Sequence, residues 1–139
     1  MSNGFSPQIG EVYLMRFGGT QHEQTGVRPG LVIQNNVGNK FSPNVIALPL
    51  TTSIKKLSQP THVLIKSEEG GLMRDSIVLC EGPERMSKTK VGSFITRLSK
   101  YDMSRVARAH ILSTSIISFL SIEELTELWY DAVKMNNCC

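Results

Sequence analysis

A chain of 139 residues, 40% hydrophobic and 19% charged, has material for one domain with a real core and no more. A net charge of +3 is too mild to argue for nucleic acid by itself, and three cysteines, two of them the last two residues, make neither a disulfide framework nor a zinc spacing. No apolar run approaches the roughly 20 residues that span a bilayer, and MSNGFSPQIG lacks the charged-then-apolar form of a signal peptide, so the chain reads as cytoplasmic and not membrane-bound.

In chain order, residues 1–7 read as a loose polar arm and Gln8 to Phe17 as a first strand, rich in Val, Tyr, Leu and Phe. GGTQHEQTGV (18–27) is a polar loop with three glycines that reads as a flap, mobile when empty. Its His22 reads as a solvated loop residue, with acid–base work as the sharper alternative. Leu31 to Ile33 form a short apolar strand. Asn35, Asn36, Gly38 and Asn39 supply a turn, and Val45 to Leu50 return as a strand. Pro49 lacks a donor and predicts an edge or a bulge. TTSIKKLSQP (51–60) is a loop, THVLIK (61–66) an alternating strand, SEEGGL (67–72) a turn, and SIVLCE (76–81) a buried strand. His62 reads as a hydrogen-bonding structural residue and Cys80 as a small buried hydrophobe.

Val91 to Leu98 is the last strand. Ser99 looks like a helix N-cap with Asp102 as its reciprocal partner, and the apolar stripe of that helix includes Met103, Val106, Ala107 and His110. A second helix begins at Ser121, with Glu124 three residues on. It carries Leu125, Leu128, Trp129, Ala132 and Val133 on one stripe. These side chains need cover from the chain's own sheet, a twin subunit or a partner, and the sequence leaves the three open. Arg85 to Arg108 holds seven basic residues against Asp102, a balance of +6, whereas residues 109–139 balance to −3. The basic band suits RNA or an acidic peptide, and equally suits a solvated face.

Two polar residues lie at strand ends: Arg28 enters the second strand and Thr51 leaves the third. If those strands pair antiparallel across the turn, a guanidinium comes beside a hydroxyl. The pair suits a phosphodiester, because Arg presents a charged fork of donors that matches phosphate oxygens and Thr adds one more. On spacing alone it also describes an Arg packed over a loop and a Thr filling a strand position. The sequence contains no zinc spacing, no glycine-rich nucleotide loop between strand and helix, and no defensible Ser–His–Asp pattern, so neither metal nor cofactor is expected.

The stretches IGEVYLMRF, GVRPGLVIQNNVGNKFSPNVIALPLT, QPTHVLI and GLMRDSIVLCE, in that order, closely resemble the MazF/PemK (Kid) family of toxin endoribonucleases, over roughly residues 8 to 120. The resemblance implies a mainly β fold with C-terminal helices, a small SH3-like barrel of the MazF/CcdB/Kid type. Residues 1–120 would be that domain and 121–139 an added amphipathic helix with a frayed tail. It implies a homodimer and metal-independent, sequence-specific cleavage of single-stranded RNA to a 2′,3′-cyclic phosphate and a 5′-hydroxyl. A cognate acidic antitoxin peptide would compete for the groove. It places Arg28 and Thr51 on the catalytic Arg and Thr. Arg28 would stabilise the pentacoordinate phosphate and serve as acid, and Thr51 would hydrogen-bond the scissile phosphate.

Glu23, Gln24, Gln34, Asn35, Thr52, Ser53, Ser76 and Glu81 fall at matching groove positions, where they would read base edges. The segment EGPERMSK departs from the family pattern EQIRT followed by Lys. Glu81 and Lys88 fit, Glu84 stands where a base is usual, and the adjacent Arg85 is expected to take its place. That departure bears on specificity first. Two other readings exist: a CcdB-like gyrase inhibitor, which would need no Arg–Thr pair, and a non-catalytic RNA- or antitoxin-binding relative.

Overall fold

The structure is a computed structural model that describes residues 5–18, 26–53 and 59–137. The elements in order are β1 (Glu11–Phe17), β2 (Gly26–Val32), α1 (Asn36–Phe41), β3 (Asn44–Thr51), β4 (His62–Ile65), α2 (Ser67–Gly70), β5 (Ser76–Leu79), β6 (Glu84–Ser87), β7 (Val91–Arg97), α3 (Lys100–Leu112) and α4 (Ile122–Asn137). All strand pairs are antiparallel, in the order β4-β5-β3-β2-β1-β7, with β6 also on β3.

Strand alternation sends successive side chains to opposite faces, and both faces are apolar. Leu31 and its partner Leu48 join Val12, Leu50, Ile65 and Val78 in one core, over which α3 lays Val106 and Ala109. Val32 and its partner Ala47 join Tyr13, Met15, Phe17, Val45 and Met86 in a second core.

β3 is central, not an edge. Its residues Asn44 to Ala47 pair with β6 and its residues Leu50 and Thr51 with β5. Pro49 stands between the two partners, where a missing N–H breaks no ladder bond. The expected closed barrel is an open sheet, since β4 and β7 end it without pairing among the described residues. The gap between these edges is filled by packing. Gly70 and Gly71 lie so close to Ile65 and Thr96 that a Cβ on either would overlap them, and Gly71 adopts φ +73°.

The expected turn at Asn35–Asn39 is a short helix. Asn35 Oδ1 accepts from Gly38 N at 2.9 Å, and the buried Asn39 donates to Gln34 O at 2.8 Å and to Asn36 Oδ1 at 3.0 Å. Asn36 also accepts from Ile9 N at 2.9 Å and donates to Asn136 O at 3.2 Å, so α1 pins both the start of β1 and the end of α4. Residues 67–70 are likewise one helical turn instead of a plain turn, and Glu84–Ser87 is a strand.

Both C-terminal helices start at their expected caps. Ser121 Oγ accepts from Glu124 N at 3.1 Å while Glu124 Oε1 accepts from Ser121 N at 2.9 Å. At Ser99 only half of that exchange forms. Ser99 Oγ accepts from Asp102 N, but the Asp102 carboxylate turns to Arg105 Nη1 at 3.0 Å. Ala107, placed on the apolar stripe by periodicity, is exposed, because α3 meets the sheet through Asp102, Val106 and Ala109.

Cys80 is fully buried, and burial followed by the Glu81 charge pushes its thiol up to about 12. Thiolate is the reactive form, so Cys80 should resist maleimide at neutral pH in the native protein and label once denaturant unfolds it, as peptide mass spectrometry would read. Labelling of Cys80 in the folded state would contradict this packing.

Candidate functional site

Gly30 pairs with Pro49, Leu31 with Leu48 and Val32 with Ala47, and the two predicted residues, Arg28 and Thr51, each lie two residues beyond the Gly30–Pro49 pair, at the same end of the β2–β3 ladder. On its other side Arg28 pairs with Met15 of β1. The alternation places Arg28 and Thr51 on the face that holds Met15, Phe17 and Gly30. Gly30 matters to this support. A Cβ there would lie 2.5 Å from Met15 Sδ and 2.9 Å from Phe17 Cζ, so only glycine lets those side chains fill the space beside Arg28.

The polar atoms at this corner are unevenly satisfied. Arg28 Nε is buried and has no hydrogen-bond partner among the described residues. A buried donor without a partner is costly, so Arg28 Nε has the character of a donor that an incoming acceptor would satisfy. Thr51 Oγ1 accepts from Ser53 N at 3.2 Å, which leaves the hydroxyl proton free to be given away. Two donors, one of them cationic, thus converge on one end of the sheet.

The neighbouring strand adds a recess. Thr51 pairs with Ile77 of β5, and one step further sets Thr52 beside Ser76. Thr52 and Ser76 line a recess of about 330 Å³ whose walls are mainly Leu14, Pro29, Leu72, Met73 and Ile95, with Arg74 at its rim. Leu14, Pro29 and Thr52 alternate along their strands with Met15, Arg28 and Thr51, so this apolar slot opens on the sheet face opposite the Arg28–Thr51 corner. Sequence reading missed Leu14, Met73 and Arg74. Leu14 falls on a strand period that predicts core, and Met73 and Arg74 lie between segments read for their turn and their strand.

The other predicted residues separate. Glu23 and Gln24 lie outside the described residues. Ser53 is exposed and adjoins Thr51, while Ser76 is buried and donates to Arg74 O at 3.0 Å. Gln34 and Asn35 lie away from this corner. They sit at the opposite end of β2, roughly 20 Å from Arg28 at about 3.3 Å per residue. Gln34 Nε2 donates to Asn39 Oδ1 at 3.1 Å and Asn44 O at 3.0 Å, and Asn35 caps α1, so both are built into the fold.

Arg85 stays on the opposite side of its strand from Glu84. It pairs with Ile46 in β6 and is exposed, whereas Glu84 and Met86 point to the other face. Strand alternation keeps Arg85 from taking the place of Glu84. Glu84 Oε2 instead accepts from Gly18 N at 3.2 Å, where the polar loop begins. Lys88 is buried in the 3₁₀ turn Lys88–Lys90, and burial pushes its ammonium pKa down.

Glu81 meets His62, Oε2 to Nε2 at 2.9 Å, with the imidazole buried and the carboxylate half-exposed. Burial acts to raise the Glu81 pKa, but hydrogen bonds from His62 and backbone and the His62 charge together lower it. A carboxylate lowered on folding contributes stability above its unfolded pKa of about 4.3, and that contribution is lost as pH falls through the lower native value. Glu81→Gln should therefore lower the denaturation midpoint at pH 7 and leave it close to the native one near pH 3. An equal gap at both pH values would refute the pairing. His110 plays the structural role expected of it, with Nδ1 2.7 Å from Cys80 O.

With this geometry in view, the kinship of the chain is informative. Residues 8–113 match the family described as PemK-like, MazF-like toxin of type II toxin–antitoxin system. The chain belongs to this PemK/MazF toxin family. It is 42% identical over 97 residues to the Bacillus subtilis protein named endoribonuclease EndoA, covering 70% of this chain and 84% of that protein. It is 39% identical over 111 residues to a Staphylococcus epidermidis endoribonuclease MazF, covering 79% and 92%. Among solved structures, an endoribonuclease from Mycobacterial species in complex with its cognate antitoxin superposes with a TM-score of 0.66. That match has 24% identity and covers 78% of this chain and 94% of that one, and it supports the PemK/MazF fold. The match to the family ends at residue 113, before α4 begins at Ile122.

Proposed function

We propose that this PemK/MazF toxin cuts single-stranded RNA at the Arg28–Thr51 corner without a metal ion. The chain is the endoribonuclease of a toxin–antitoxin pair, and the cleavage arrests translation and growth. The observation that carries the site is the buried Nε of Arg28, unpartnered among the described residues, at the same end of the β2–β3 ladder as a Thr51 hydroxyl with a free proton.

RNA brings its own nucleophile. The 2′-hydroxyl attacks the adjacent phosphorus, the bond to the 5′-oxygen breaks, and the products are a 2′,3′-cyclic phosphate and a 5′-hydroxyl. The protein has to align the 2′-oxygen with the leaving oxygen and stabilise the charge that gathers on the phosphate. The Arg28 fork meets two phosphate oxygens and the Thr51 hydroxyl a third position. We assign the reading of neighbouring bases to Glu23, Gln24, Thr52, Ser53, Ser76 and Glu81.

We assign the activity to residues 1–120 acting as a cytoplasmic homodimer, and we place the acidic antitoxin peptide in the same groove as the RNA. The test is a long single-stranded RNA incubated with the protein in EDTA. Discrete cuts ending in cyclic phosphate are the expected result, and mapping them gives the recognised word. Intact RNA in the presence of folded protein would sink the reading and turn attention to gyrase inhibition or binding without turnover.

A further inference from the structure

One end of the sheet gathers cations. β1 and β3 end there and β2, β5 and β7 begin there, because every pairing is antiparallel. In spatial order this end carries Arg74 just before β5, Thr51 on β3, Arg28 on β2, Arg16 on β1 and Lys90 just before β7. None of the four cations is in an ion pair among the described residues. The other end of β1 and β7 differs, since Arg97 there is held by Glu11 at 2.9 Å. The ribonuclease reading uses Arg28 and leaves Arg16 and Lys90 without a role.

Arg16 and Lys90 border a recess of about 260 Å³, together with Val27, Thr89, Gly92 and Ser93. A bulge shapes it. Tyr13 pairs with Phe94 and Met15 with Val91, so Leu14 alone faces both Gly92 and Ser93. A Cβ on Gly92 would lie 3.1 Å from Leu14 O, so the two backbones approach closely there. Lys90 Nζ reaches back to 3.7 Å from the place a Cβ on Gly18 would take, one residue past β1. Arg16 pairs with Val27 and Arg28 with Met15, so the two arginines leave opposite faces of the sheet from adjacent positions. Neighbouring strands lie about 5 Å apart, which sets Arg16 one strand and Lys90 two strands beyond Arg28. Beyond β5 the sign reverses: Glu68, Glu69 and Asp75 gather beside Lys66, where β4 ends.

We infer that the Arg16–Lys90 recess binds backbone phosphates of the RNA outside the cut, so that the strand runs from the Arg28–Thr51 corner around this end of the sheet toward β7 and not toward β4. The identity of the strand rests on the ribonuclease reading, whereas the recess stands on its own residues. Two uncompensated cations with the hydroxyls of Thr89 and Ser93 beside them suit phosphate oxygens. Such contacts hold and orient a strand and read no base. The carboxylates on the β4 side repel the same strand.

The test compares two full-length double variants that remove the same charge: Arg16→Ala with Lys90→Ala, and Lys40→Ala with Lys66→Ala as the control. The probe is a labelled single strand of 2′-deoxynucleotides, which has the phosphates and lacks the nucleophile, followed by anisotropy over a range of salt. Cleavage of the matching RNA is measured in single turnover at saturating protein. The Arg16–Lys90 variant should bind on the order of tenfold more weakly at low salt. Its slope of log K against log salt should fall by about 1.4, at about 0.7 per phosphate contact on a single strand. Its saturated cleavage rate should equal the native one, and the control should match the native protein throughout. A native slope in the Arg16–Lys90 variant, or an equal loss in the control, overturns the inference. So does a variant that binds the strand normally and loses only polyglutamate, which would make the recess a seat for an acidic peptide. The two readings fail separately. A native protein that cuts RNA, with no change of slope in the variant, keeps the corner and loses the recess. One that leaves RNA intact, with the slope changed, keeps the recess and loses the corner.

Discussion

Arg28→Ala is expected to slow metal-free RNA cleavage on the order of a hundredfold or more while the protein melts as the native one does. The two halves of that result have separate causes. Activity falls because the donor fork that meets the charge forming on phosphorus is gone. Stability holds because Arg28 Nε makes no hydrogen bond among the described residues, so truncation removes a buried donor that lacks a partner there. Arg28→Lys sharpens the point. It keeps a positive charge at the site but loses the planar pair of donors, and it should recover part of the rate at most. Single-turnover cleavage in EDTA and a thermal melt of the same preparations measure both. A variant that still cuts at the native rate would remove Arg28 from the chemistry, and one that unfolds would make Arg28 a structural residue.

Leu31→Ala should show the opposite pattern. Leu31 is fully buried in β2, pairs with Val12 and Leu48, and sits three residues from Arg28 on the face turned to the α3 core. Emptying that position removes transfer energy and leaves a cavity, for a loss of about 2–5 kcal/mol. The urea midpoint should fall with an unchanged slope, because the amount of surface exposed on unfolding is the same. The folded fraction should still cut RNA, since the side chain points away from the Arg28–Thr51 face. Cleavage lost in proportion to more than the unfolded fraction would mean that the α3 core also sets the geometry of the corner. A loss well under 2 kcal/mol would mean that the sheet collapses around the gap.

How far the fold was legible depended on whether its signals were local. The strands announced themselves by alternation and by β-branched runs, and Ser99 and Ser121 marked the helix starts because a cap bonds within its own first turn. The same locality misled at Asn35–Asn39. Asn and Gly there do suit a turn, but Asn36 bonds to Ile9 and Asn136, partners 27 and 100 residues away, and those bonds select a helix. Pro49 was legible as a residue that cannot donate and illegible as the point where β3 changes partners. Pro49 pairs with Gly30 of β2, and the β3 residues before and after it pair with β6 and β5, which no window around residue 49 contains.

The candidate site divides the same way. Sequence alone determined that the chain carries a cationic fork and a hydroxyl at two strand ends joined by a short connection. It also determined, through four motifs in order, the toxin family to which such a pair belongs. Tertiary structure decided the rest. The β2–β3 register brings Arg28 and Thr51 to the same end of their ladder, and alternation in β6 sends Arg85 away from the side that Glu84 occupies. The α1 cap withdraws Gln34 and Asn35, and α4 is pinned at one end with its apolar stripe uncovered. Each of these follows from a pairing or a contact between distant parts of the chain, whose free energy comes from burial and hydrogen bonds that exist only once the sheet is assembled.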